Sequence, residues 1–177
     1  SGALGRLLPE TERAKPPFSL LGQLATSPIV SIHLWFDREF MEDRFIGLID
    51  STVQWLFNRR KITPEAVGMP KGYLSAVISA AYGTIERTKE ELVAAALDDI
   101  HRLYPESRTA RLVSSVVIKE KRATFSSTPD AEALRPSTVT PIPDLYLAGD
   151  WTGTGLPATI EGAAKSGFQA AEAVAAR

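Results

Sequence analysis

One aspartate, a glycine-rich turn and a helix start crowd into the segment AGDWTGTGLPATIEGAAKSG, from Ala148 to Gly167. The apolar run before Asp150 reads as a strand, and Pro157 precedes a stretch of small residues that reads as a helix. Such a helix opens with backbone N–H groups at Thr159, Ile160 and Glu161 that have no partner within it, at the positive end of its dipole. That end attracts an anion or an electron-rich ring edge. GTGLPA, from Gly153 to Ala158, matches the spacing G-x-G-x-x-G/A of a dinucleotide-binding turn. The unit cannot close, because a dinucleotide fold needs a second parallel strand with an acidic residue ~20 residues further on, and Arg177 falls inside the helix. Asp150 would also repel a pyrophosphate at the strand end and is better suited to accept a hydrogen bond from a sugar-alcohol hydroxyl.

A reduced flavin meets both requirements. Its ribityl chain offers hydroxyls to Asp150, and its N1/C2=O edge carries negative charge that a helix start stabilises. Gly162, Ala163, Ala164, Gly167, Ala170 and Ala171 keep the helix thin enough for close approach. The same residues also describe a small-residue helix packed on a strand with no ligand, and Glu161 equally suits the plain role of complementing the dipole. Both readings stay open on the residues alone.

These residues need a scaffold, and the rest of the chain supplies strands for it. IVSIHLWFD, from Ile29 to Asp37, alternates with period two. Val30, Ile32, Leu34 and Phe36 face a core, while Ile29, Ser31, His33 and Trp35 face either a second packed layer or the wall of a ligand cavity. RFIGLID and STVQWLFNRR predict a hairpin or meander, and GYLSAVISAA and RLVSSVVIKEKRATF predict further strands. Thr88 and Glu91 form a capping-box pair at the start of a helix whose apolar stripe is Leu92, Val93, Ala96, Ile100, Leu103 and Tyr104. Asp98 and Asp99 are expected on its wet side. STPDAEALRPSTVTPIPD, from Ser127 to Asp144, is rich in proline and reads as an extended connector.

Composition narrows the chemistry. A formal net charge of -1 offers no field for nucleic acid. With no cysteine and two histidines, thiolate metal sites are excluded and no metal site is expected. No apolar run reaches the ~18 residues of a membrane span, so the expected setting is cytoplasmic, with a peripheral contact to the inner membrane left open.

LYLAGDWTGTGLPATIEGAAKSGFQAAEAV resembles the C-terminal flavin-binding signature of the amine oxidase and phytoene desaturase superfamily of FAD enzymes. SPIVSIHLWFDR and EKRATFSSTPDAEALRP are similar to its squalene-associated FAD-dependent desaturases, the bacterial hydroxysqualene dehydroxylases. The resemblance implies an α+β fold in two parts. Residues 1–136 would be part of a substrate-binding domain with a mixed or antiparallel sheet and a helix. Residues 137–177 would be the last strand and helix of an FAD-binding Rossmann-like domain. It implies FAD as cofactor, with Gly149, Asp150, Trp151, Pro157, Thr159, Ile160, Glu161 and Gly162 around it, and a long isoprenoid substrate beside Ser31, His33 and Trp35. No catalytic acid or base is implied for any residue here. Thr159 stands where amine-oxidising members commonly carry an aromatic residue, so an amine substrate is not implied. The resemblance further implies an N-terminal remainder of the same enzyme, holding the ADP half of FAD. Two activities follow, first reductive dehydroxylation of hydroxysqualene in hopanoid biosynthesis and second desaturation of a carotenoid precursor; a non-catalytic module without flavin is the competing reading of a different class.

Overall fold

A computed structural model describes residues 3–63, 68 and 70–176. Along the chain lie α1 (Leu4–Leu7), α2 (Glu10–Arg13), a 3-10 turn (Phe18–Gln23), β1 (Thr26–Phe36), β2 (Phe45–Gly47), β3 (Trp55–Asn58) and α3 (Arg59–Ile62). There follow β4 (Gly72–Ser79), α4 (Lys89–Leu103), a 3-10 turn (Pro105–Thr109), β5 (Leu112–Phe125), α5 (Pro129–Leu134) and α6 (Ile160–Ala175). The chain divides into two compact units, residues 27–123 and residues 1–26 together with 124–177. The sequence suggested one boundary, after residue 136; instead the N-terminal segment joins the C-terminal one in a single unit.

The first unit is built on a five-stranded sheet in the order β2-β3-β4-β1-β5. β1 pairs with β4, β4 with β3, and β3 with β2, all antiparallel. The alternation expected for β1 holds: Val30, Ile32, Leu34 and Phe36 are all buried. They join Leu56, Leu74, Ala76 and Ile78 against Leu92, Ala96 and Ile100 of α4. Each large aliphatic side chain so buried contributes about 1.5–3 kcal/mol. The capping box forms as the sequence requires. Thr88 Oγ1 accepts from the Glu91 N–H at 3.1 Å, and the Glu91 carboxylate accepts from the Thr88 N–H at 2.7 Å.

Asp98 is exposed, but Asp99 is buried, against expectation. Its carboxylate accepts from the Val53 N–H at 2.9 Å and pairs with Arg102 at 3.0 Å. A buried carboxylate needs such partners, and here one comes from a loop distant in sequence and the other from the next turn of α4.

In the second unit Phe18, Leu21, Leu24, Phe125, Ala131 and Leu147 form a separate core. The strand expected before Asp150 is reduced to a single antiparallel bridge, Val139 with Tyr146. A strand needs a ladder along its length, and among the described residues this segment finds a partner at one position. The expected connector is also more structured than read, because Pro129 opens the short helix α5. Among the described residues no helix is long and apolar enough to cross a membrane.

Candidate functional site

Two groups of residues can do chemistry, one in each unit. In the second unit the turn from Gly149 to Pro157 is fixed from below by Arg135, which is buried. Its guanidinium donates to the carbonyls of Leu156 at 2.8 Å, Asp150 at 3.2 Å and Thr152 at 2.5 Å, and to Thr154 Oγ1 at 3.4 Å. It pairs with Glu132 at 2.7 Å and sits 5.3 Å from the centre of the Phe125 ring. One planar, five-donor group thus gathers carbonyls that diverge along a tight loop. The sequence reading passed over this residue. The signal available was that Arg135 is the only lysine or arginine between Arg122 and Lys165, in a run that carries five acidic residues, Asp130, Glu132, Asp144, Asp150 and Glu161.

A second clasp joins the turn to α6. The Gly149 N–H donates to Ser166 Oγ at 2.7 Å, and that hydroxyl donates to the Ala163 carbonyl at 2.6 Å. Gly149 adopts φ 144°, and a Cβ there would stand 2.4 Å from Trp151 Nε1. The position therefore requires glycine twice over, for its backbone and for the indole. Gly162 is equally constrained, since a Cβ would come within 2.6 Å of the Pro157 carbonyl oxygen. That contact sets how closely α6 begins behind the turn.

Thr159 is the N-cap of α6, its hydroxyl accepting from the Gly162 N–H at 3.2 Å. The Ala163 N–H goes to the Thr159 carbonyl. The N–H groups of Ile160 and Glu161 have no acceptor among the described residues. Both residues are exposed, Ile160 at 91%. Two donors and the positive helix end are thus presented outward. The Asp150 carboxylate, half-buried, accepts from Thr124 Oγ1 at 3.3 Å through one oxygen and keeps further lone pairs for a hydroxyl. Trp151 packs onto the unit's own core, whereas Pro157 is exposed and lines a cleft of about 470 Å³ with Phe125, Arg135 and Leu156. These features fit the flavin and ribityl half of FAD. They include no grip for its ADP half.

The other group is the open face of the sheet in the first unit. Strand register places Ser31 opposite Val77, His33 opposite Ser75 and Trp35 opposite Tyr73. It continues through Phe57 opposite Ser75 and Trp55 opposite Val77 to Phe45 opposite Phe57. The result is an aromatic platform. Trp35 and Tyr73 stack with centroids 4.7 Å apart, Trp55 and Phe57 stack at 6.1 Å, and Phe45 lies 6.2 Å from Phe57. Within it His33 Nδ1 lies 2.9 Å from the Tyr73 hydroxyl. Burial, and then the charge of Arg59, lower the pKa of His33 below its ordinary value, so the ring is neutral at pH 7.

The family model for flavin-containing amine oxidoreductases matches residues 2–175. The chain belongs to that family. A hydroxysqualene dehydroxylase of Rhodopseudomonas palustris is 38% identical over 166 residues, covering 92% of this chain and 37% of that protein. A 15-cis-phytoene desaturase of Synechococcus elongatus is 31% identical over 176 residues, covering 97% of this chain and 37% of that protein. Among solved structures, an oxidoreductase from Methanosarcina mazei superposes with a TM-score of 0.64 at 18% identity, covering 88% of this chain and 36% of that one. That likeness shows a shared fold. The chain spans about a third of the length of the curated relatives it matches.

Proposed function

We propose that this chain is part of an FAD-dependent oxidoreductase that removes the hydroxyl group of hydroxysqualene to give squalene. The observation that carries the cofactor half of this reading is the outward pair of N–H groups at Ile160 and Glu161, in the same unit as the Asp150 carboxylate. The helix start would meet the electron-rich pyrimidine edge of the flavin, and Asp150 would accept from a ribityl hydroxyl. Gly149, Trp151, Pro157, Thr159 and Gly162 hold that arrangement by the clasps described above. Residues 1–26 and 124–177 belong on this reading to a Rossmann-like FAD domain, and the ADP half of the cofactor is held by parts of the protein outside this chain.

When bound and reduced, FAD supplies the hydride. In the overall change a C–O bond breaks, a C–H bond forms, two electrons and two protons are taken up, and water leaves. The chain's own contribution is the aromatic face of the sheet with Ser31, His33 and Trp35, against which a long isoprenoid lies out of water. An apolar wall also shields a carbon that develops positive charge from capture by solvent. So apolar a substrate partitions into bilayers, which makes a peripheral membrane contact part of the proposal.

Desaturation of phytoene is the second reading, favoured by the desaturase relative that covers 97% of the chain. The test is to purify the full-length protein, measure its flavin absorbance, and supply hydroxysqualene or phytoene under reducing and oxidising conditions in turn. Squalene formed from hydroxysqualene under reduction supports the first reading. Conversion of phytoene alone replaces it with the second, and a flavin-free protein refutes both.

A further inference from the structure

We propose that the Tyr73–His33 pair is the recognition point for a hydroxyl group on an otherwise apolar isoprenoid, a role that rests on the dehydroxylation reading. The pair is the one side-chain to side-chain hydrogen bond described on the open face of the sheet, and its ring neighbours there are aromatic. His33 stacks toward Trp35 at 6.2 Å, and Trp35 stacks on Tyr73. Neither Tyr73 oxygen nor His33 Nε2 has another partner among the described residues.

The hydrogen-bonding arithmetic suits an alcohol. If the Tyr73 hydroxyl donates to Nδ1, the ring keeps an Nε2–H donor and the tyrosine oxygen keeps a lone pair. If instead Nδ1–H donates to the tyrosine, the phenol keeps its O–H and Nε2 is an acceptor. In either tautomer the pair presents one donor and one acceptor, which is the complement of an alcohol. A hydrocarbon offers neither, and leaves both groups unpaired against an apolar surface. The pair therefore discriminates substrate from the deoxygenated product as well as binding the substrate. Sequence pattern alone placed His33 on this face but could not pair it with Tyr73, forty positions away.

The experiment measures equilibrium binding of hydroxysqualene and of squalene to the full-length flavoprotein in mixed micelles. The parent protein is expected to favour the alcohol by roughly tenfold, the worth of one or two neutral hydrogen bonds. Tyr73→Phe, which keeps the stack on Trp35, and His33→Leu are each expected to bring that ratio to about twofold or less, with squalene affinity unchanged. His33→Gln, whose amide offers both a donor and an acceptor, is expected to retain most of the preference. A parent protein that binds both ligands equally overturns the proposal, as does parallel weakening of both ligands in the variants, which would mark a packing role. If Tyr73→Phe does not fold, the difference between His33→Leu and His33→Gln decides. Turnover separates the underlying reading: a protein that prefers the alcohol yet converts only phytoene keeps the recognition point and loses the proposed reaction.

Discussion

Replacing Arg135 with methionine removes the group that gathers the turn from Asp150 to Leu156, while keeping most of its apolar stem. Three carbonyls, those of Asp150, Thr152 and Leu156, lose a charged donor at once. Hydrogen bonds to a charged group contribute about 1.5–3 kcal/mol each, and an orphaned buried acceptor costs about 1–3 kcal/mol, although a loop that opens to water recovers part of this. The ion pair adds little, because the Glu132 side chain is 63% exposed. The stack on Phe125 adds about 0.5–1 kcal/mol. The expected net loss is about 3–5 kcal/mol, in line with removal of one partner from a buried charged network. Urea unfolding of the full-length protein, followed by a probe in this unit, measures it. Arg135→Lys should recover less than half, since one ammonium cannot span diverging carbonyls, and Glu132→Gln should cost under about 1 kcal/mol. The reasoning fails if Arg135→Met unfolds within about 0.5 kcal/mol of the parent protein, or if Glu132→Gln is the more damaging change.

Three further outcomes follow from the same structure. Asp150→Ala should lower the flavin retained on purification while leaving the melting temperature nearly unchanged, because among the described residues its carboxylate meets only Thr124, at 3.3 Å; absorbance near the flavin band together with a melt checks both. Asp99→Ala should cost about 1–3 kcal/mol in unfolding free energy by stranding the Val53 N–H, whereas Asp98→Ala should fall within about 0.5 kcal/mol of the parent. His33, with a folded pKa below its unfolded 6.5, binds more protons unfolded than folded. Stability should therefore fall as pH drops below about 6.5 and be fully present above it, and His33→Gln should flatten that part of the pH profile.

Much of the sheet was legible because period-two alternation is a local signal. Val30, Ile32, Leu34 and Phe36 declare one face of β1 whatever surrounds them, and Thr88 with Glu91 declares the start of α4. The features that escaped depend on partners remote in the chain. Nothing near Asp99 says that the Val53 amide will reach it, and only the fold reveals that Arg135 faces carbonyls fifteen to twenty-one positions ahead. The segment before Asp150 has strand composition, but a ladder needs neighbours as well as composition. At the candidate site the outcome was mixed for the same reason. The helix start after Pro157 follows from chain chemistry, whereas the inward turn of Trp151 depends on a core assembled from residues 18–24 and 125–147.

Helix α6 is held unevenly. Its fully buried residues, Gly162 and Ser166, both lie in its first two turns, while Phe168 and Val174 are 74% and 56% exposed. Sixteen residues at about 1.5 Å each make a rod of about 24 Å, mounted like a cantilever on the Ser166–Gly149 clasp. Displacement in a beam fixed at one end grows with distance from the mount. The donors of Ile160 and Glu161 lie in the half of the rod that carries the clasp and the buried residues, so bending of the other half disturbs their aim least.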